Sequence, residues 1–492
     1  MLDSHDLARG PRAGLALAGL LLTGVAFGFG ETPPPNLPGP VPPPANQRLA
    51  REIYRDLVDI RSVHSVGTAG TAAVIVRYLK ANGFTDAEIR VLPEPKHPRQ
   101  VNVVVRLKGK DRAGLKPVMW ICHMDVVDAK AADWTAPPFR FTARNGWFYG
   151  RGTSDMKDGD AAVAASLIRL KHEGYVPDRD IIAAFTADEE VGMNEDGPKF
   201  LLEHHPHAVD AGLVINPDGN SGELVNGKRL DFAVETVQKA YATYTLTVTN
   251  KGGHSSEPRP DNAIYSLAHA LLRVAAYRFP YETNATTRLY FRDIAARENG
   301  QTRADLLALA ASPTVDDAAA ARLAKDVAMN AILHTTCVAT MLRAGVQENA
   351  LPSRAVATIQ CRLMPDTSAA AVQATLERVV ADPEVAVAPL GDYPRAGESP
   401  PDPRLLAQVG RVVDSMWPGV PVVPFMFAGA SDSLYTRNAG IPSYGIGGGW
   451  NDLSDIRMHG RNERMSQQGF YQEVEFTYRL MKELTGGRPS DR

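Results

Sequence analysis

Cysteine is scarce, with three in 492 residues and no Cys-x-x-Cys pair. That excludes a disulfide-built scaffold and a zinc finger, so any metal must be held by His, Asp and Glu. A surplus of one charge is also missing. Fifty-three Lys and Arg face 56 Asp and Glu, a formal charge of -3, which lacks the clustered positive excess of a general nucleic-acid surface. Gly-x-Ser-x-Gly and His-Glu-x-x-His are both absent, removing the serine nucleophile elbow and the helical zinc motif. With 44% hydrophobic and 22% charged residues, the chain fits neither a disordered polymer nor a polytopic membrane protein. Its length implies about three domain-sized units.

The first 46 residues stand apart. Residues 13–30 carry no charge, are rich in Leu, Ala and Gly, and follow Arg9 and Arg12. This is the layout of a signal peptide, with an uncleaved membrane anchor as the alternative. Eight prolines between Pro33 and Pro44 read as an extended, semi-rigid linker over residues 31–46. The expectation is an exported chain, periplasmic or secreted, possessing either a cleaved leader or a membrane tether through residues 13–30. Cys122 reads as an inert core residue. Cys337 and Cys361 lie in apolar segments and could pair if their strands are neighbours, but the odd total and the absence of framework spacing argue against it.

From Gln47, short apolar runs (Val101–Leu107, Val118–Cys122, Ile181–Thr186, Leu213–Asn216) alternate with helical patterns such as Ala161–His172. That alternation predicts a mainly parallel sheet covered on both faces. Near residue 237 the texture changes to half-exposed strands, as in Ala242–Thr249, with a long Ala-rich helical stretch over 282–330. The α/β texture resumes with Arg404–Met416, Val422–Phe427 and Ile441–Ile446. One α/β domain, 47–236 and 393–492, is therefore interrupted by an inserted α+β domain, 237–392.

Acidic and imidazole residues gather at particular places. His123-Met124-Asp125 ends a strand, Gly150-Arg151-Gly152-Thr153-Ser154-Asp155 precedes a helix, and Ala187-Asp188-Glu189-Glu190 and Asn216-Pro217-Asp218-Gly219 end two more strands. Open α/β sheets bind ligands beyond the carboxyl ends of their strands, so these clusters are expected to converge. Converging carboxylates repel unless a cation neutralises them, and His with carboxylates suits zinc, with cobalt or manganese as substitutes. A late His459, in Met458-His459-Gly460-Arg461-Asn462-Glu463, completes the set.

With these motifs in this order, the chain from about 48 to 485 resembles the di-zinc metallopeptidases that include glutamate carboxypeptidase, aminoacylase, acetylornithine deacetylase and succinyl-diaminopimelate desuccinylase. The resemblance implies a di-zinc hydrolase domain carrying an inserted lid and dimerisation domain. It implies His123 and Asp218 on one zinc, Glu190 and His459 on the other, and Asp155 bridging, with a cis peptide at Asp155–Met156. Glu189 resembles the general base and Asp125 the carboxylate that orients His123. Within the insert, His254 in Gly252-Gly253-His254-Ser255-Ser256 resembles the oxyanion-binding histidine that reaches the partner subunit's site. Asn349 and Arg362 match a substrate-binding pair, Arg362 offering a fork to a carboxylate. Gly429 and Ser431, in Ala428-Gly429-Ala430-Ser431-Asp432, resemble the loop lining the substrate pocket. The stretch 282–330 is longer than the simplest members carry, and the segment 450–457 matches no motif. His204, His205 and His207 read as plain surface.

These assignments imply an exported homodimeric carboxypeptidase or dipeptidase that cleaves an amide next to a free carboxylate. An N-acyl amino acid deacylase using the same site is the close alternative. A peptide-binding protein on this fold is the non-enzymatic one.

Overall fold

The structure, a computed structural model, describes residues 33–110, 114–191, 196–219, 221–225 and 227–486. The expected leader, residues 1–30, lies outside the described residues.

The larger domain is built on a ten-stranded sheet. Val101–Leu107, Ile181–Thr186, Val118–His123 and Leu213–Asn216 lie side by side near one end, and the last three run parallel. Ser443–Gly445 continues parallel to Leu213–Asn216 and then meets Lys228–Gln238, which Val422–Phe427 also joins in parallel. Residues from both sides of the insertion therefore complete one sheet. Alternation sorts its side chains. Val103, Val105, Trp120, Cys122, Ala183 and Phe185 face one apolar cluster. Val104, Met119, Ile121, Ile182 and Ala184 face another. A strand with two buried faces reads as a continuous apolar run, which is why these four were visible in the sequence.

Helices Pro44–Val58, Lys157–His172 and Gln467–Thr485 pack on the first face. The proline-rich segment before them is seated rather than spacing anything. The carbonyl of Leu37 accepts from Gln472 Nε2 (2.6 Å) and Arg229 Nη2 (3.2 Å), and the Leu37 side chain packs on the core. Proline removes backbone donors but leaves carbonyls, and here one carbonyl anchors the strap.

The inserted domain is an antiparallel sheet ordered Thr336–Ala344, Arg354–Leu363, Ala240–Thr249, Val385–Pro389. Helices Ala263–Ala276 and Ala369–Val380 bury its apolar face. Arg354–Leu363 alternates buried and half-buried along its length. Cys337 sits directly opposite Cys361, and the two form a disulfide, while Cys122 is free and buried.

The helical stretch Ala285–Leu333 departs from its expected place. It belongs by sequence to the insert, yet it packs on the larger domain. Phe291, Leu306, Leu309 and Ile332 form one cluster with Ala233, Val237, Val423 and Met426. The helix Ala285–Ala295 packs on the strand Val422–Phe427, and the following helices pack in turn on it and on one another, covering an outer face that would otherwise be exposed carbon.

One residue, Lys239, separates Lys228–Gln238 from Ala240–Thr249 and so joins the two domains. It is fully buried, and its Nζ donates to the carbonyls of Ala331 and His334, each at 2.6 Å. Burial, with Arg362 adding to it, pushes the amine down to about 7. The folded value lies below that of an unfolded lysine, so holding the ammonium costs stability in full below about pH 7, and the cost fades towards roughly pH 10. Thermal unfolding of wild type and Lys239→Met should therefore diverge in favour of wild type as pH rises from 7 to 9.5; a constant difference would contradict this account.

Candidate active site

Four elements of the larger domain deliver the charged groups, and each places its residue at or just beyond an element end. His123 ends the strand Val118–His123, and Glu189 and Glu190 follow Ile181–Thr186. Asp218 follows Leu213–Asn216, and Asp155 precedes the helix Lys157–His172. His459 arrives from a loop far along the chain. The Asp155–Met156 peptide is cis.

Asp155 lies at the centre. One of its carboxylate oxygens is 3.1 Å from His123 Nε2, and the other is 2.9 Å from His459 Nε2. His459 Nε2 is also 2.9 Å from Glu190 Oε2, and Asp218 Oδ1 stands 4.0 Å from His123 Nε2. His123, Asp155 and Glu190 bring donor atoms within 4.8 Å of one another. His459 adopts a left-handed backbone (φ 60°), as does Asp188 (φ 62°) beside the glutamates. That conformation is rare outside glycine and collects at functional turns.

The other nitrogen of His123 faces Asp125. Nδ1 is 3.1 Å from the Asp125 carbonyl oxygen and 3.7 Å from its carboxylate. The carboxylate accepts from the backbone N–H groups of Glu189 (3.2 Å) and Glu190 (3.1 Å). Asp125 thus orients the imidazole through its backbone and the glutamate turn through its side chain.

The donor chemistry fits metal. With Nδ1–H donated to a carbonyl, a neutral His123 aims the Nε2 lone pair at a carboxylate oxygen, which repels it unless a cation or proton lies between. His459 aims Nε2 at two carboxylates. Burial opposes charge on His123, yet Asp155 and Asp218 outweigh it and hold the imidazole well above its usual range. Asp155 and then Glu190 push His459 up to about 10. Burial, then the surrounding anions, raise Glu189, Glu190 and Asp218. The protein alone does not keep these carboxylates ionised, whereas divalent ions would.

Two residues quoted within the motifs, but given no role there, tie the halves together. Arg151 Nη1 donates to Glu463 at 2.5 Å, and Arg151 Nη2 donates to the carbonyls of His459 and Gly460, each at 3.2 Å. Glu463 also accepts from the backbone N–H of Ser154 at 2.9 Å. The loop carrying Asp155 is thereby clamped to the loop carrying His459. Buried Asp432 and Asp196 also went unread; Asp432 accepts from Thr186 Oγ1 at 2.8 Å.

Of the expected substrate residues, the cleft holds Arg362, Gly429 and, in the adjoining compartment, Ser431. Arg362 reaches it from the inserted domain, stacks over Tyr241 (5.1 Å) and keeps a buried Nη1 without a hydrogen-bond partner. A Cβ at Gly429 would meet the Phe427 ring at 2.5 Å. The Ser431 hydroxyl donates to Gln238 (2.9 Å). Tyr241 and Tyr393, which no motif marked, line the same side. His254 and Asn349 are exposed and lie together elsewhere. His254 pairs with Ala350, and the Asn349 carbonyl accepts from Ser255. His204 and His207 are exposed and His205 half-buried, outside the site.

The family model for peptidase family M20/M25/M40 matches residues 119–483. The chain is 28% identical over 387 residues to the N-fatty-acyl-amino acid synthase/hydrolase PM20D1 of Xenopus tropicalis, covering 77% of this chain and 74% of that one. It is 29% identical over 414 residues to Probable carboxypeptidase S-like 2 of Dictyostelium discoideum, with 77% and 74% covered. The M20 family metallo-carboxypeptidase Sso-CP2 from Sulfolobus solfataricus shares the fold at 17% identity, with a TM-score of 0.64 over 88% of this chain and 98% of that one. The match covers well over half the chain and includes every histidine and carboxylate of the cleft: this protein belongs to peptidase family M20/M25/M40, and it is a hydrolase.

Proposed function

We propose that the protein hydrolyses an amide bond next to a free carboxylate, with N-acyl amino acids as its main substrates. The observation that carries the reading is Arg362, a half-buried arginine whose buried Nη1 has no hydrogen-bond partner, in the same cleft as Glu189. A buried donor of this kind is expensive unless a ligand satisfies it, and a carboxylate matches its fork. The similarity to an N-fatty-acyl-amino acid synthase/hydrolase supports the acyl class, which reverses the order expected from the motifs. C-terminal cleavage of peptides is the second reading, supported by the carboxypeptidase S-like relative.

His123 with Asp218 and His459 with Glu190 would hold two divalent ions, zinc in the first instance, with Asp155 shared between them. When bound, such ions polarise a carbonyl and acidify water. Glu189 takes a proton from the attacking water and returns it to the leaving nitrogen as the carbon–nitrogen bond breaks. Arg362 fixes the carboxylate and so sets which amide faces Glu189.

The site of one chain lacks His254 and Asn349, which sit side by side on the insert. In a homodimer both would serve the partner's cleft, His254 donating to the developing oxyanion. Support comes from the edge strand Thr336–Ala344, which exposes Val338, Met341 and Leu342, and from the nearby helix, which exposes Ile264, Tyr265 and Leu272. Residues 13–30 and the Cys337–Cys361 disulfide support export to an oxidising compartment, since such bonds are rare in reducing ones.

Three measurements test this. Glu189→Gln should retain metal, counted by elemental analysis, while kcat falls by about 10²–10⁴-fold; near-normal turnover would remove Glu189 as base. Arg362→Ala should weaken kcat/KM for free-carboxylate substrates by roughly 10- to 100-fold and leave amidated analogues little changed, so equal losses on both would sink the clamp. Inactive Glu189→Ala and His254→Ala chains, mixed and reassembled, should regain about one quarter of wild-type activity, because half the dimers are mixed and half of their sites are intact. Sites complete within one chain would regain none.

A further inference from the structure

The cleft continues in two directions from the metal group. On one side, Glu189, Glu190, Arg362, Ala430 and His459 also line a compartment with Tyr241 and Tyr393. On the other, Ser154, Asn451, Ile456, Met458 and Met465 also line a cavity that is partly open to solvent. The two end compartments share no lining residue. The order is therefore cationic end, metal group, third compartment.

That third compartment is walled by carbon: Trp147, Leu224 and Trp450 from the larger domain, and Leu37 from the seated strap. Its charged groups are engaged locally, Asp452 accepting from the backbone N–H and the hydroxyl of Ser454 at 2.9 and 2.6 Å. Arg464 donates to Asp455 at 2.6 Å and lies 4.0 Å from the Trp147 ring centroid, and Arg457 pairs with Asp455 at 2.7 Å. Two features that no motif explained build much of it, the segment 450–457 and the proline-rich strap. An apolar pocket joined to a few convergent polar groups is the usual form of a ligand site.

We infer that this cavity binds the hydrocarbon chain of an N-acyl amino acid, a reading that rests on the amide hydrolysis proposed above. A molecule with carboxylate, amide and chain in that order matches Arg362, Glu189 and the cavity in that order. A peptide extended into the same space would strand its amides against carbon, at a cost an alkyl chain avoids.

The test uses purified, zinc-loaded enzyme and N-acyl alanines from acetyl to myristoyl. Values of kcat/KM should climb about three- to fourfold per methylene until the cavity fills, then level off. Leu37→Trp, which places a larger ring in the cavity, should cut the myristoyl-to-acetyl ratio at least about tenfold. Should that variant fail to fold, an N-acyl alanine bearing a diazirine at the chain end gives a second reading on wild type. Its label should map to Leu37, Trp147, Leu224 or Met465. Equal turnover of acetyl and myristoyl substrates, or label beside Tyr241 and Tyr393, overturns the cavity assignment and leaves the amide reading intact. No turnover of any acyl alanine, with free-carboxylate dipeptides still cleaved, overturns the acyl reading itself.

Discussion

Repulsion among converging carboxylates is the constraint around which the molecule is arranged. Asp155, the Glu189–Glu190 pair and Asp218 come from separate elements, and Asp155 stands between the Nε2 atoms of His123 and His459. Left to itself, such a cluster would protonate or spread apart. The surrounding protein prevents spreading. The Asp125 carboxylate holds the backbone of Glu189 and Glu190, and Arg151 with Glu463 clamps the loops of Asp155 and His459. A rigid ring of donors is what a metal centre requires, because ligands that are already placed need little reorganisation when the ion binds.

The second principle of the architecture is division of labour between the domains. The larger domain supplies every candidate metal ligand. The insert supplies the cation that would read the substrate carboxylate: Arg362 stands opposite Tyr241 in the strand pairing, and its side chain lies over that ring. Only Lys239 separates the sheet strand from the insert strand, so the domain carrying Arg362 is joined to the domain carrying the carboxylates through a short, buried connection. The helices of Ala285–Leu333 reinforce this junction, since they pack on the larger sheet and their carbonyl at Ala331 receives the Lys239 amine.

Much of the site was legible because its chemistry is local. His123-x-Asp125, Asp155 before its helix, Glu189-Glu190 and Asp218 each sit where a strand or helix ends, and apolar runs mark those ends without any tertiary information. The insertion was legible too, since half-exposed strands alternate with period two while two-faced strands do not. Asp196 and Tyr393 left no such mark; buried carboxylates and pocket aromatics look like ordinary surface residues until something packs against them.

The amino-acid sequence by itself determined the α/β plan with its insert, the histidine and carboxylates that gather at the strand ends, and the family to which the chain belongs, because those follow from residue type, period and order. Tertiary structure decided the rest. It turned the carbonyl of Asp125, rather than its carboxylate, towards His123. It brought Arg362 into the cleft and left His254 and Asn349 outside it. It laid the strap of residues 33–43 over an apolar cavity and moved the helices of Ala285–Leu333 onto the larger sheet. Each of these depends on which distant face a side chain meets, and a contact between remote segments leaves no periodic trace along the chain.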